Sequence, residues 1–381
     1  IGFLLIAIFG GQLARNAFLR HAAYSSPTPS VEAMGKVIEA YPDSIGGIRK
    51  LWDTRYLPQR IYVIHKMRDM WSEKKNMRSD LKPFLLEVLN SGIQEGTIMS
   101  IRLISYAWPN GIEYIVPFLI DPDSEIRLAA TLGVMKAGNK KYTTLILPLL
   151  DDCLPSLRIT AVKIIERWHD KNFGVLWKAD TNINEDGIQK CRKFVQDYCA
   201  KNEKIVLKSE KFSCTPSFAT DFELDDTEGK KFRLKDKQKQ TTMLIFWGKP
   251  GHEETPVMSH LADLKTILKD KMSIIPIAVD AVPQIHLGHE EESHQEDHSH
   301  EYNEDCTQHK KIQSSDIKQL WDKYGFGGSC LIDDGTASLS YAVNNVPTIV
   351  IINDGVVKKY FSTNLSIDEI VAIAVETIRA K

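Results

Sequence analysis

Near residue 200 the hydrophobic periodicity of this 381-residue chain changes, and no single secondary-structure class can accommodate both halves. From about Val31 to Ala200 the apolar residues recur at helical spacing, with short polar breaks and almost no alternation. From about Phe212 onward, short apolar runs alternate with helix-length amphipathic ones. The chain is too long for one core, so the change is read as a domain boundary. The expected segments are an opening stretch, 1–30, a helical domain, 31–203, and an α/β domain, 204–381. The fold class is therefore multi-domain, all-α followed by α/β.

The helical half contains a repeat. Residues 115–130 match residues 146–161 at an offset of 31: Pro117 falls on Pro148, Arg127 on Arg158 and Ala130 on Ala161. Weaker copies begin near Pro83, followed by Arg102, and near Asp53, followed by Arg60. A helical hairpin of this size cannot bury its apolar face alone and must stack on its neighbours. Proline is tolerated at a helix start, an aspartate in the turn can cap the next helix, and the following arginine can reach that aspartate or its neighbour's. Over residues 45–200 the pattern resembles HEAT repeats in their compact variant. The resemblance implies a solenoid whose surface meets a protein partner.

In the second half, Thr242–Trp247 is a continuous apolar run suited to a strand buried on both faces. Asn353-Asp-Gly355 between two apolar runs is a hairpin signal, and Ser366-Ile-Asp-Glu369 fits a capping box opening the last helix. Residues 216–236, 243–256 and 326–357, in order and spacing, resemble the redoxin branch of the thioredoxin superfamily, with TlpA/ResA-type proteins the nearest kind. The resemblance implies a mixed central sheet flanked by helices and a cis proline at Pro347, next to Val346 and Thr348. It also implies a binding groove lined by Trp247, Gly251, His252, Val346, Pro347 and Thr348.

That family carries a CxxC motif at the strand-to-helix junction, and this chain does not. Aligned from Phe246-Trp247, the cysteine positions hold Gly251 and Glu254. Aligned from Glu254-Thr-Pro256, they hold Gly248 and Gly251. Either way the thiolate and the resolving thiol are missing. None of the six cysteines lies in a CxxC. Cys330 reads as a small buried core residue, and a Cys214–Cys306 or Cys306–Cys330 bridge is open from sequence.

Residues 283–311 form a polar excursion holding six of the eleven histidines: His286, His289, His294, His298, His300 and His309. Imidazoles so close together suit Zn, Cu or Ni, although the spacing matches no fixed ligand signature. No other cofactor is expected. Ile1–Phe9 reads as the apolar part of a signal peptide or membrane anchor, implying an extracytoplasmic or membrane-tethered protein. Arg15 and Arg20, with no acid before Glu32, argue instead for a cytoplasmic flank. A net charge of −2 excludes broad nucleic-acid affinity, which needs a positive field.

The functional expectation is a non-catalytic protein-binding or assembly subunit. A thiol-disulfide oxidoreductase using non-standard cysteines and a histidine-based metal binder are the alternatives.

Overall fold

The computed structural model describes residues 2–40, 45–72, 81–108, 111–137, 140–175, 185–202, 214–237, 240–248, 260–269, 271–279, 314–323, 328–362 and 365–379. Gly251, His252, Glu254, Cys306 and the six histidines His286, His289, His294, His298, His300 and His309 lie outside these residues. By internal contacts the chain forms two compact units. Residues 1–69 join 216–364, and residues 70–215 join 365–381. This grouping cuts across the segments read from the sequence, because it rests on pairings between distant parts of the chain.

The first unit opens with α1 (Gly2–Ser25), α2 (Val31–Glu39), α3 (Ile45–Asp53) and α4 (Leu57–Ser72). The proline-rich stretch after α1 is a held turn. Gln59 Nε2 donates to Ala23 O at 3.0 Å and to Ser26 O at 2.8 Å, and Ser30 Oγ caps α2 by accepting from the Ala33 N–H. No helix among the described residues is long and apolar enough to cross a membrane.

The sheet comprises β1 (Ser217–Phe218), β2 (Glu223–Asp226), β3 (Lys231–Arg233), β4 (Thr242–Gly248), β5 (Ser273–Val279), β6 (Leu331–Ile332), β7 (Thr348–Asn353) and β8 (Val356–Phe361). Their order is β1-β8-β7-β4-β5-β6-β2-β3. β4 lies inside, parallel to β5 and antiparallel to β7, and Thr242 to Trp247 are all buried. An uninterrupted apolar run is what a strand covered on both faces requires. The parallel β4–β5 pair needs a crossover, which includes α12 (Leu261–Leu268), buried through Leu261, Leu264 and Leu268. Asp354 and Gly355 have φ of 51° and 72° at the β7–β8 turn, the left-handed pair that a tight hairpin demands. α13 (Ser314–Lys323) and α14 (Thr336–Ser340) complete the unit.

The N-terminal helices are tied to the sheet edge. Phe218 N–H donates to Arg55 O at 2.8 Å, which satisfies β1 where an edge would otherwise be open. Arg60, only 1 % exposed, donates from Nε to Trp52 O and from Nη1 to Ser217 Oγ, each at 3.1 Å. Its guanidinium lies 4.5 Å from the Trp52 ring centroid. The weak repeat copy read at Asp53 and Arg60 is thus a corner that receives β1.

The second unit contains α5 (Lys82–Leu89), α6 (Gln94–Ala107), α7 (Ile112–Ile115), α8 (Ser124–Ala137), α9 (Thr143–Ile146), α10 (Pro155–His169), α11 (Glu185–Lys201) and α15 (Ile367–Arg379). The 31-residue offset is reproduced element by element. α7 runs into a 3-10 turn over Val116–Ile120 before α8, and α9 runs into one over Leu147–Asp151 before α10. Pro117 and Pro148 open those turns, where a missing N–H costs nothing. Arg127 Nη1 donates to Asp121 O and Pro122 O at 2.8 and 2.9 Å. Arg158 Nη1 donates to Asp152 O and Cys153 O at 2.7 and 3.2 Å. Each arginine also reaches onward: Arg127 to the Asp152 carboxylate at 2.7 Å and Arg158 to Glu185 at 3.5 Å.

Candidate functional site

At its C-terminal end β4 delivers Trp247 and Gly248 beside the start of β7. Phe246 pairs with Thr348, Trp247 with Ala278 and Gly248 with Val279. The Val346–Pro347 peptide bond is cis. Thr348 is buried, and its Oγ1 donates to Asn345 O at 2.6 Å, holding the turn that presents Val346. Pro347 is buried, Val346 half-buried and Asn345 exposed.

Gly248 and Val346 are in close approach. A Cβ on Gly248 would lie 2.8 Å from Val346 Cγ2, inside the van der Waals limit. Gly248 is therefore a strand residue whose missing side chain makes room for the cis-proline turn. Of the groove residues expected from the sequence, the described ones, Trp247, Val346, Pro347 and Thr348, lie at this end of β4 and β7, next to Gly248, one of the vacant cysteine positions.

Trp247 is buried rather than open to solvent, at 2 % exposure. It stacks on Trp321 with ring centroids 6.2 Å apart. Trp321 Nε1 donates to Gly328 O at 2.8 Å, and Lys265 Nζ sits 5.0 Å from the Trp321 ring centroid. Burial lowers the Lys265 pKa. The inward position of Trp321 on α13 was missed at the sequence level, because only the tertiary fold brings it to Trp247.

Cys330 lies in the core at 0 % exposure, as its place before an apolar strand suggested. Its Sγ is 3.3 Å from Leu331 O and 3.5 Å from Pro276 O. Burial pushes its thiol pKa up to about 12, so the thiolate form is strongly disfavoured. At the end of β6, Asp333 is also buried, and burial raises its pKa. Its carboxylate accepts N–H bonds from Ala337 and Ser338, which assigns it to capping α14. Among the described residues, the partly exposed groups where β4 meets the turn before β7 are Gly248, Asn344, Asn345 and Val346. None of them can donate a labile proton from an acid, supply a base or form a thiolate.

No group of three or more His, Cys, Asp or Glu side chains placed to hold a metal ion occurs among the described residues.

No protein-family profile matches the chain, and no curated protein matches it. Solved structures do. The exposed lipoprotein thioredoxin of Streptococcus pneumoniae is 19% identical over 41% of this chain and 99% of its own, with a TM-score of 0.30. A thiol:disulfide interchange protein of the thioredoxin family from Chlorobium tepidum is 14% identical over 44% and 99%, with a TM-score of 0.32. A peroxidoxin of Mycobacterium tuberculosis is 18% identical over 44% and 96%, with a TM-score of 0.31.

Proposed function

We propose that this chain is a non-catalytic, extracytoplasmic protein-binding subunit. On this reading its sheet is a thioredoxin-like fold without working thiols, and its 31-residue hairpins are HEAT-like repeats that give partners a second surface. The observation that carries the proposal is the state of Cys330. Cys330, just before β6, is fully buried, burial disfavours its thiolate, and no CxxC exists anywhere in the sequence. With no CxxC in the sequence and Cys330 enclosed, what the described residues offer beside Gly248 is the turn at Val346. There an extended segment could be gripped through its backbone, as in strand addition generally.

The test uses the full chain, since residues 1–69 group with the sheet. Dithiothreitol-coupled insulin reduction should proceed no faster than with a variant in which all six cysteines are serine. Cys330 should resist iodoacetamide at pH 8 until denaturant is added. Extended unstructured peptides, screened by fluorescence polarisation, should yield binders whose affinity is lost in Val346→Asp. A cysteine-dependent rate would replace the proposal with the oxidoreductase alternative, and binding indifferent to Val346→Asp would remove the groove from it.

A further inference from the structure

The outward side chains of α6, α8 and α10, the second helices of successive hairpins, fall in register. Arg102 and Tyr106 of α6, Leu132 and Lys136 of α8, and Lys163 and Arg167 of α10 succeed one another at offsets of 30 and then 31. The two residues in each helix are four apart, so they lie one above the other on one face. The helices are neighbours: a Cβ on Gly133 of α8 would lie 3.2 Å from Ser105 Cβ of α6, and α8 packs on α10 in turn. Lys136 Nζ sits 3.8 Å from the Tyr106 ring centroid, which joins two of the pairs across the helix boundary. Tyr106 is 55 % exposed and Leu132 40 %, and Arg102, Lys136 and Arg167 are exposed as well.

The charge of this face is one-sided. Each helix contributes one cation that forms no ion pair with a carboxylate, namely Arg102, Lys136 and Arg167. Lys163 is matched by Glu166 at 2.7 Å. The acids of the other two helices, Glu95 and Glu125, stand in their first turns, at the opposite end. Residues 108–111 and 138–139, which follow α6 and α8, carry no charge, and after α10 Asp170 is matched in sign by Lys171. The face is therefore a row of single positive charges with a tyrosine and a leucine set among them.

Packed helices stand about 8–10 Å apart, so the three cations recur at about that interval. Residues seven apart in a helix return to one face after about 10.5 Å. Same-face residues of an extended segment recur at about 6.6 Å or its multiples, which miss the interval. We infer that this face binds an acidic amphipathic helix of a protein partner, laid across α6, α8 and α10. Its carboxylates stand at i, i+7 and i+14, with apolar residues between them for Tyr106 and Leu132. The inference rests on the partner surface proposed above for the hairpins and names the partner's chemistry; it is independent of the groove at Val346.

The probe is a labelled alanine-rich helix with Glu at i, i+7 and i+14 and Leu at i+4 and i+11, titrated with the full chain by fluorescence polarisation. Versions with Gln or Lys at the Glu positions are its controls. The Glu helix should bind, and the Gln helix should bind roughly thirtyfold more weakly, about threefold for each exposed ion pair. The Lys helix should not bind, and added salt should weaken the Glu helix. Arg102→Gln with Arg167→Gln should weaken the Glu helix roughly tenfold on the same scale. Lys193→Gln with Lys201→Gln removes the same charge from exposed positions on α11 and should weaken it distinctly less. Tyr106→Ala should weaken the Glu and Gln helices alike, about tenfold, as loss of an aromatic anchor does. A Gln helix as tight as the Glu helix, and lost in Tyr106→Ala, would overturn the acidic partner and keep the partner surface. No binding by any of the three helices would overturn both. Equal losses in the two charge-matched pairs would overturn the inference, as would an oligothymidylate that displaces the Glu helix and itself depends more strongly on Arg102 and Arg167.

Discussion

Replacing Arg127 with Met tests whether the hairpin repeats are held together by their arginines. The side chains of Arg127 and Asp152 are only 11% and 7% exposed. The pairing is two-pronged, Nε to Oδ2 at 2.7 Å and Nη2 to Oδ1 at 3.1 Å. Methionine keeps most of the aliphatic stem, so the change removes chiefly the charge and its donors. It leaves the Asp152 carboxylate with the Leu154 N–H at 2.9 Å and the Cys153 thiol at 3.6 Å, in a site mostly closed to water. Removing one partner of a buried pair costs about 3–5 kcal/mol, against about 0–1 kcal/mol for an exposed pair. At the lower figure, amide exchange through local opening accelerates by about a hundredfold or more. Hydrogen exchange read by mass spectrometry on peptides within 112–169 isolates this region from the other unit. Adding Asp152→Asn keeps the acceptor for Leu154 and removes the stranded charge. The double variant should therefore recover more than about 1 kcal/mol of the loss. A cost below about 1 kcal/mol for Arg127→Met, or no recovery in the double variant, would refute the role given to the pair.

Burial, with a smaller push from Asp121, raises the Asp123 pKa from 3.8 to about 6, while its carboxylate caps α8 through the Glu125 and Ile126 N–H groups. Between those values the folded state holds a proton that the unfolded state has released, so stability falls as pH rises through this window. The penalty reaches about 3 kcal/mol above pH 6, and urea titrations at pH 4.5 and 7 should show this dependence shrinking in Asp123→Asn. Gly248→Ala sets a methyl 2.8 Å from Val346 Cγ2, and overpacking of this kind costs about 1–3 kcal/mol. Thermal melts should show that loss largely reversed in Gly248→Ala with Val346→Ala; a neutral Gly248→Ala would mean that the turn simply moves away.

Local signals were legible wherever the physics is local. The Ser366 to Glu369 capping box forms as read, with the Glu369 N–H donating to Ser366 Oγ and the Ser366 N–H to the Glu369 carboxylate. The sequence could not show the second task of that carboxylate. Its other oxygen accepts from the Ser124 N–H at 2.9 Å, so it also serves the start of α8, 245 residues away. In the candidate site, Val346, Pro347 and Thr348 were found from their motif. The burial of Trp247 against Trp321 was not, because a tryptophan run into a loop looks the same whether its ring faces water or another ring.

By itself the sequence determined the elements and their order: the 31-residue hairpin offset, the doubly buried β4, the left-handed turn at Asp354 and Gly355, and the absence of a CxxC. Each follows from side-chain periodicity, backbone conformational preference or the identity of a few adjacent residues. Only the tertiary structure decided which elements share a core. Arg60 and Arg127 are both buried arginines in helices, but one closes on Ser217 of β1 and the other on Asp152 of the next hairpin. That choice depends on which distant segment supplies the acceptor and excludes water, and this is fixed by packing across the chain rather than by any local pattern.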